Sequence, residues 1–223
     1  MLKRLRLART AGRGNLKGVM FRLSLNLSKD KHNIDSMLMA MLANLDNETL
    51  GHCCRVQVLA VSLGEELQLS STEIANLRLG SLLHDIGKKD IPEAVLSKET
   101  PLTAEEWQLI QGHPVFGWSS VLTVGLDEVV EQIILGHHLW ANGCGGYPSW
   151  LNDFGPCLLT HITSVADVAD AITSDRPYRP ALSVTACLEY LEQNAGTKFN
   201  PEVVRAFTRL IRGDSIDLGR TLK

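Results

Sequence analysis

The stretch SSTEIANLRLGSLLHDIGKKD, residues 70–90, decides the fold of this chain. Ser70 is followed three residues later by Glu73, and this capping box is the signature of a helix N-terminus. Apolar residues then recur at helical spacing on one face. They are Ile74, Leu77, Leu82 and Ile86. The stretch therefore predicts an amphipathic helix that runs into an adjacent histidine and aspartate.

The same periodicity extends over most of the chain. From about Ile34 onward, apolar residues recur at intervals of three and four, and alternation with period two is never sustained. Capping patterns mark further helix starts at Thr103 and Asn200. Glycine and proline predict loops over 88–102 and 141–156. We therefore predict an all-α fold, a helical bundle that carries one glycine-rich loop.

Composition and charge limit the class of protein. The 223 residues are 44% hydrophobic and 21% charged, which fits one sizeable globular domain or two small ones. Residues 1–31 carry nine Lys or Arg against one acid, a local charge of +8. Because the net charge of the whole chain is −3, the remaining residues carry a charge of −11. We predict a basic tail or linker at 1–33, a domain at 34–212 and a C-terminal tail at 213–223. The acidic body and the 5% aromatic content argue against DNA or RNA as partners.

The cysteines and the apolar runs predict location. Five cysteines contain no CxxC pair, and an odd number without a secretory signal is typical of a reduced, cytoplasmic protein. The charge-free stretches 107–126 and 132–152 are interrupted by polar residues, Gly and Pro, which excludes a membrane span there.

Histidines and aspartates form the pattern with the clearest chemistry. A lone helical histidine is usually a buried or capping residue, but five of the seven here lie near predicted helix ends or beside Asp, Gly or Pro. Adjacent side chains point about 100° apart on a helix, so the pairs His84–Asp85 and His137–His138 share a site only beside a cavity. Such pairs suit a cluster of more than one metal. Imidazole with carboxylate favours Fe or Mn over structural zinc.

Five segments carry a resemblance to a known family. They are HDIGK (84–88), GHPVFGW (112–118), GHH (136–138), GGYP (145–148) and VADVADAITSDRPYR (165–179). In this order, over about residues 44–210, the chain resembles the HD-GYP family, a branch of the HD-domain metal phosphohydrolases. Members of that family are helical proteins that hydrolyse the bacterial second messenger cyclic di-GMP at a centre of two or three Fe or Mn ions.

The resemblance implies a set of metal ligands. One metal would be held by His52, His84, Asp85 and Asp167, and a second by Asp85, His113, His137 and His138. Glu48 precedes His52 by one helical turn and matches a subgroup with a third metal. A plain solvated acid is the alternative for Glu48.

The resemblance also implies substrate contacts. Lys88 would act with Asp85 in catalysis by contacting the phosphate. Asp170 would either orient an imidazole or contact substrate. The remaining substrate-binding residues would be Arg176, Arg179, Gly146, Tyr147 and Pro148, with a structural salt bridge as the alternative for Arg179. His32 and His161 match no ligand position and are interpreted as structural or exposed.

One departure concerns the loop HHLWANGCGGYP, residues 137–148. The family usually has an acid where Leu139 stands and an aspartate where Asn142 stands, and its segment is one residue shorter. Both lost carboxylates would lie beside the metal pocket. The predicted ligands remain, so the sequence predicts metal binding and leaves turnover open.

Two classes of function follow. The first is a cyclic di-GMP phosphodiesterase, in which a metal-bound hydroxide yields linear pGpG, GMP or both. The alternatives are a weakly active or inactive signalling module, and an HD phosphohydrolase for another nucleotide. A signalling module would bind a protein such as a diguanylate cyclase domain through Leu139, Trp140 and Trp150, or form a homodimer.

Overall fold

The computed structural model describes residues 29–175 and 180–213, except for the side chains of residues 29–34 and of Phe154. Over these ranges the regular elements are helices, and no strand forms, which confirms the all-α prediction. The α-helices are α1 (Lys29–Leu42), α2 (Asn47–Glu66), α3 (Ser71–Leu83), α4 (Glu93–Leu96), α5 (Ala104–Gln111), α6 (His113–Val121), α7 (Glu128–Gly136), α8 (Leu158–Thr173), α9 (Val184–Gln193) and α10 (Pro201–Arg212). Two 3₁₀ helices span Ile86–Asp90 and Ser149–Phe154.

The predicted helix starts are confirmed at atomic level. The backbone N–H of Glu73 donates to Ser70 Oγ, and Glu73 accepts in return from the Ser70 N–H at 2.8 Å. Thr103 caps α5 by the same device. Asn200 caps α10, which begins with Pro201. These side chains satisfy N–H groups that have no partner within the helix.

Three predicted boundaries differ from the structure. The segment 88–102, predicted as loop, contains the end of a 3₁₀ helix and α4, and 141–156 contains the second 3₁₀ helix. Short turns of this kind carry too few residues to show periodicity in sequence. Helix α1 begins at Lys29, inside the predicted tail, so the domain limits 34–212 stay a prediction.

Helix α2 is the centre of the bundle, because it packs against both α3 and α8. Its buried residues belong to two apolar clusters. One joins α2 to α8, α9 and α10, and the other joins α1, α2, α3, α6 and α7. The 3₁₀ helix after α3 packs against α6. This arrangement brings the end of α3 and the start of α6 close to His52, in the first half of α2.

Within the described residues, the structure contains no helix with the length and apolarity needed to cross a bilayer.

Candidate metal centre

Three histidines of the site are held by the ends of helices. His84 directly follows α3, His113 follows the end of α5, and His137 directly follows α7. The last carbonyls of a helix lack intrahelical partners, and in each case one of them lies at the Nδ1 atom of the imidazole. The contacts join His84 to Ser81 (2.8 Å), His113 to Ile110 (2.8 Å) and His137 to Ile134 (2.9 Å).

This contact fixes the tautomer of each ring. A carbonyl oxygen only accepts, so Nδ1 must carry the proton, and Nε2 of the neutral ring presents a lone pair. The helix ends also explain how adjacent residues share a site. His84 and His137 are the C-cap residues of their helices, so Asp85 and His138 lie in the turns that follow the helix ends.

His52 is oriented by a carboxylate instead. It lies within α2, and its Nδ1 is 2.6 Å from Asp170 Oδ2 on α8. Arg55, one turn after His52, donates to both oxygens of Asp170 at 2.7 and 3.0 Å. This fork holds Asp170 in place, and Asp170 holds the ring of His52 with Nε2 facing the other histidines. Sequence reasoning missed Arg55, although it is the one charge in the stretch HCCRVQVLAV.

The inward nitrogens form a donor set that a cation fits. His113 Nε2 and His137 Nε2 lie 3.1 Å apart, and both present lone pairs, which repel unless a cation or proton lies between them. His84 Nε2 is buried and has no hydrogen-bond partner. A buried acceptor without a partner is unfavourable, and a metal ion would satisfy it.

These ligand atoms fall into two groups that share the neighbourhood of Asp85. His113, His137 and His138 form one group, and His52, His84 and Asp85 form the other, with ligand atoms within 4.8 Å of one another in each. Asp85 Oδ1 is 3.1 Å from His113 Nε2 in the first group. Asp85 Oδ2 is 3.5 Å from His52 Nε2 and 3.4 Å from His84 Nε2. One carboxylate therefore faces both groups.

Asp167 lies beside the second group. Its Oδ1 is 3.0 Å from His52 Nε2 and 3.8 Å from His84 Nε2. The structure thus brings together all seven residues for which the resemblance implied two metals. Each group offers the imidazole and carboxylate ligands of a borderline-hard divalent cation.

The charges of the site follow from burial and from the paired carboxylates. Burial lowers the pKa of His52, but hydrogen bonds to Asp167 and Asp170 outweigh it and raise that pKa to about 9. Burial and the neighbouring His113 lower the pKa of His138 to about 3. Burial opposes ionisation of Asp85, yet Lys88 and two histidines hold its pKa well below the usual range. An ionised Asp85 therefore lies beside a neutral His138, the protonation states that metal binding needs, whereas His52 would lose its proton when a cation binds.

Asp170 does not have the access that substrate binding requires. Its exposure is 0%, and its two oxygens are engaged by His52 and Arg55. Of the two roles that the sequence left open, the structure supports orientation of an imidazole. Its assignment as a substrate-binding residue is corrected, because no surface remains for a ligand.

The glycine-rich loop packs directly on His138. The Tyr147 ring lies 4.4 Å from the His138 ring, between centroids, and the Tyr147 N–H donates to the His138 carbonyl. Gly146 has a φ of +89°, and a Cβ there would overlap His138 O. Burial raises the pKa of Tyr147, so its hydroxyl stays protonated. The loop residues Gly146, Tyr147 and the buried Pro148 thus form a wall beside the centre.

The two unusual loop residues have structural roles. Leu139 is only 6% exposed and forms an isolated bridge with Gly146, which anchors the loop. The exposed Asn142 accepts from the Cys144 N–H at 2.9 Å, the turn that an aspartate also stabilises. Asn142 is also bound through its backbone to Thr197. The expectation that position 142 borders the metal pocket is therefore not supported.

The other predicted residues are distributed as follows. Lys88 is half-buried, and its ammonium donates to Asp85 Oδ2 at 2.7 Å. Glu48 is exposed on α2 and belongs to neither ligand group. His161 is half-buried, in line with a structural residue. Arg176 and Arg179 lie outside the described residues, as does the side chain of His32.

We expect Asp170→Asn to weaken the cation site that contains His52 by about 10–100-fold, the usual effect of removing the partner of a ligating histidine. The amide keeps the shape but can turn its NH₂ group toward Nδ1, and it no longer matches the Arg55 charge. Titration of metal-free protein with Mn²⁺ measures the loss.

Asp153→Asn is the control for that variant, because Asp153 is exposed on the 3₁₀ helix Ser149–Phe154. Equal Mn²⁺ affinity in Asp170→Asn and in the control would show that Asp170 does not orient His52.

Helix ends and buried carboxylates thus give a helical protein with a cluster of histidines and aspartates that could hold metal ions. Comparison with known proteins makes this specific. The profile of the HD domain matches residues 36–203, so the chain belongs to the HD domain family.

Relatives confirm the resemblance to the HD-GYP branch. The chain is 31% identical over 163 residues to the 3′3′-cGAMP-specific phosphodiesterase 3 of Vibrio cholerae. The aligned region covers 73% of this chain and 35% of the relative. It is 34% identical over 171 residues to a cyclic di-GMP phosphodiesterase of Pseudomonas aeruginosa, covering 76% and 41%. The chain spans less than half the length of either protein.

Solved structures share the fold. An HDG"Y"P protein from Bdellovibrio bacteriovorus superposes with a TM-score of 0.63 at 20% identity, over 89% of this chain and 69% of the other. The cyclic GMP-AMP phosphodiesterase V-cGAP3 of V. cholerae gives a TM-score of 0.57 at 21% identity, over 81% and 49%. Both likenesses cover most of this chain, and they support the helical fold.

Proposed function

We propose that this protein is a metal-dependent phosphodiesterase that hydrolyses a cyclic dinucleotide, with cyclic di-GMP as substrate and pGpG, GMP or both as products. The observation that carries the proposal is the shared carboxylate. Asp85 faces two groups of imidazole nitrogens that point into the site. One of these nitrogens, His84 Nε2, is a buried acceptor without a hydrogen-bond partner. Relatives named as cyclic dinucleotide phosphodiesterases support this substrate class.

The residues would divide the work as follows. Two bound divalent cations would supply hydroxide at neutral pH and polarise the oxygens of the phosphate. Asp85 and Asp167 keep the site negative enough to hold the cations. Lys88 is charged, because the attraction of Asp85 outweighs the effect of burial and raises its pKa. Its ammonium, at the surface of the centre, would contact a phosphate oxygen and stabilise charge that builds up there.

Fe or Mn are the cations we propose, from the absence of thiolate among the ligands. Glu48 would hold a third cation with His52, which lies one turn further along α2. The five free cysteines of the structure fit a reducing compartment, and we place the protein in the bacterial cytoplasm.

Metal removal and reconstitution test the proposal. Anaerobically purified protein is analysed for metal content, stripped with a chelator, and reloaded with Fe²⁺ or Mn²⁺. We expect about two cations per chain and hydrolysis of cyclic di-GMP that disappears on stripping and returns on reloading. Chromatography identifies the products. A fully loaded protein that leaves cyclic di-GMP intact would refute the proposed activity.

A second candidate function is supported by one exposed side chain. Trp150, beside the glycine-rich loop, is 59% exposed, whereas Leu139 is buried and Trp140 is half-buried. Binding of a diguanylate cyclase domain, or of a second copy of this chain, would therefore use Trp150. Trp150→Ala should abolish such binding in a pull-down and leave metal content unchanged. Retained binding would exclude this surface.

A further inference from the structure

A cavity of about 1140 Å³ opens beside the metal centre. Lys88, which bonds to Asp85, and Glu48 line the cavity at the end nearest the centre. The segment from Glu93 to Ile110 supplies much of the rest of the lining. The volume slightly exceeds the usual range for sites of drug-sized ligands, about 300–1000 Å³. A group attached to a phosphate at Lys88 therefore has a space to enter.

The wall of this cavity includes a tryptophan that remains largely exposed. Trp107 lies on α5, and 48% of its surface is accessible. Helix α5 is held by its Thr103 capping box and by an ion pair at 2.6 Å between Lys98 and Glu106. A large aromatic side chain on a rigid element, exposed to a cavity, offers a flat apolar face to a ligand.

The charges of the cavity favour a neutral group over a second phosphate. Glu93 and Glu99 line it as acids. The ammonium of Lys98 is engaged by Glu106, and that of Lys89 by Asp90. Apolar side chains contribute much of the remaining surface. They include Leu96, Leu102 and Ile110. An apolar surface with carboxylate acceptors at the rim suits a nucleobase, whose faces stack and whose edge donates hydrogen bonds.

We propose that this cavity binds one nucleoside of the dinucleotide substrate, with its base stacked on Trp107 while its phosphate lies at Lys88. This deepens the proposed function and rests on it. Trp107 would then set affinity for substrates that carry a base. Trp107 belongs to neither ligand group, so the hydrolytic centre would not depend on its side chain.

Three variants test the role of the indole ring. Trp107→Leu keeps an apolar side chain and removes the aromatic face, whereas Trp107→Phe keeps an aromatic face. Leu122→Ala is the control, since Leu122 is similarly exposed, at 46%, and does not line the cavity. Circular dichroism and melting temperature establish that each variant is folded.

The readout is the KM and kcat of metal-loaded protein with cyclic di-GMP and with methyl 4-nitrophenyl phosphate, a diester without a nucleobase. We expect Trp107→Leu to raise the KM for cyclic di-GMP about ten-fold or more, from the loss of base stacking. The kcat for both substrates should change less than about two-fold. Trp107→Phe should recover most of the affinity, and the control should match the native protein.

The outcomes separate the two proposals. An unchanged KM for cyclic di-GMP in Trp107→Leu, in a protein that hydrolyses both diesters, would overturn the cavity assignment and leave the proposed activity standing. If the native protein binds cyclic di-GMP without hydrolysing it, the dissociation constant replaces KM as the measure for the same variants. Native protein that neither binds nor hydrolyses the dinucleotide would overturn both.

Discussion

Replacing Asp85 by asparagine is expected to reduce hydrolysis of cyclic di-GMP by at least about 1000-fold and to empty both cation positions. The reason is that Oδ1 faces His113 while Oδ2 faces His52 and His84. The asparagine amide has nearly the same shape, so the fold should survive. What is lost is the negative charge that two neighbouring cations would share.

A comparison with His138→Gln tests whether Asp85 is shared. His138 belongs to the group with His113 and His137 and is half-buried, so its replacement should remove one cation and leave the other. Elemental analysis should give about one cation for His138→Gln and none for Asp85→Asn. Equal metal content in the two variants would contradict a shared carboxylate.

Asp90→Asn provides the matched control, because Asp90 ends the 3₁₀ helix that begins directly after Asp85, and its side chain is 46% exposed. Its carboxylate pairs with the adjacent Lys89 at the surface. Metal content and activity of this variant should equal those of the native protein.

The proposed metal ligands were predicted from the resemblance to a family, and the structure shows a local reason why a short motif can indicate some of them, since three of the histidines lie at helix ends. Capping patterns at Ser70 and Thr103 locate helices whose far ends carry His84 and His113. A histidine after the last turn finds a free carbonyl for Nδ1, a local interaction that sequence spacing encodes. A local sequence motif can therefore indicate histidines of this kind without knowledge of any contact between distant segments.

Interactions that join distant segments were not predictable in this way. Arg55 and Asp170 are separated by 115 residues, and neither position alone indicates the fork between them. The role of Leu139 is another example. The sequence shows only that an acid is absent at this position, whereas the burial of Leu139 and its bridge to Gly146 depend on the loop returning to it. Only the assembled fold shows which polar groups face the centre.

Gly87, inside the HDIGK segment, explains why the end of α3 can approach α6 so closely. A Cβ on Gly87 would overlap the carbonyl oxygen of His113 and the amide nitrogen of Gly117. Both obstacles are backbone atoms, so no side-chain rotation can relieve the overlap. This contact brings the segment with His84 and Asp85 against the helix that begins with His113.

We therefore expect Gly87→Ala to destabilise the protein by at least about 3 kcal/mol, beyond the usual cost of added volume in a core, because backbone must move. For a chain of this size the melting temperature should fall by about 6–12 °C. The shift would also separate Asp85 from His113, now 3.1 Å apart, and weaken Mn²⁺ binding in the protein that remains folded.

Gly125→Ala distinguishes this overlap from the general cost of replacing a glycine. Gly125 has a φ of +74° with open space around it, so alanine there incurs only the backbone penalty, about 1–2 kcal/mol. Thermal unfolding and Mn²⁺ titration should show a small loss of stability in Gly125→Ala with unchanged metal affinity. If Gly87→Ala melted no lower than Gly125→Ala, the close approach of the two backbones would not hold the centre together, and the positions of Asp85 and His113 would need another cause.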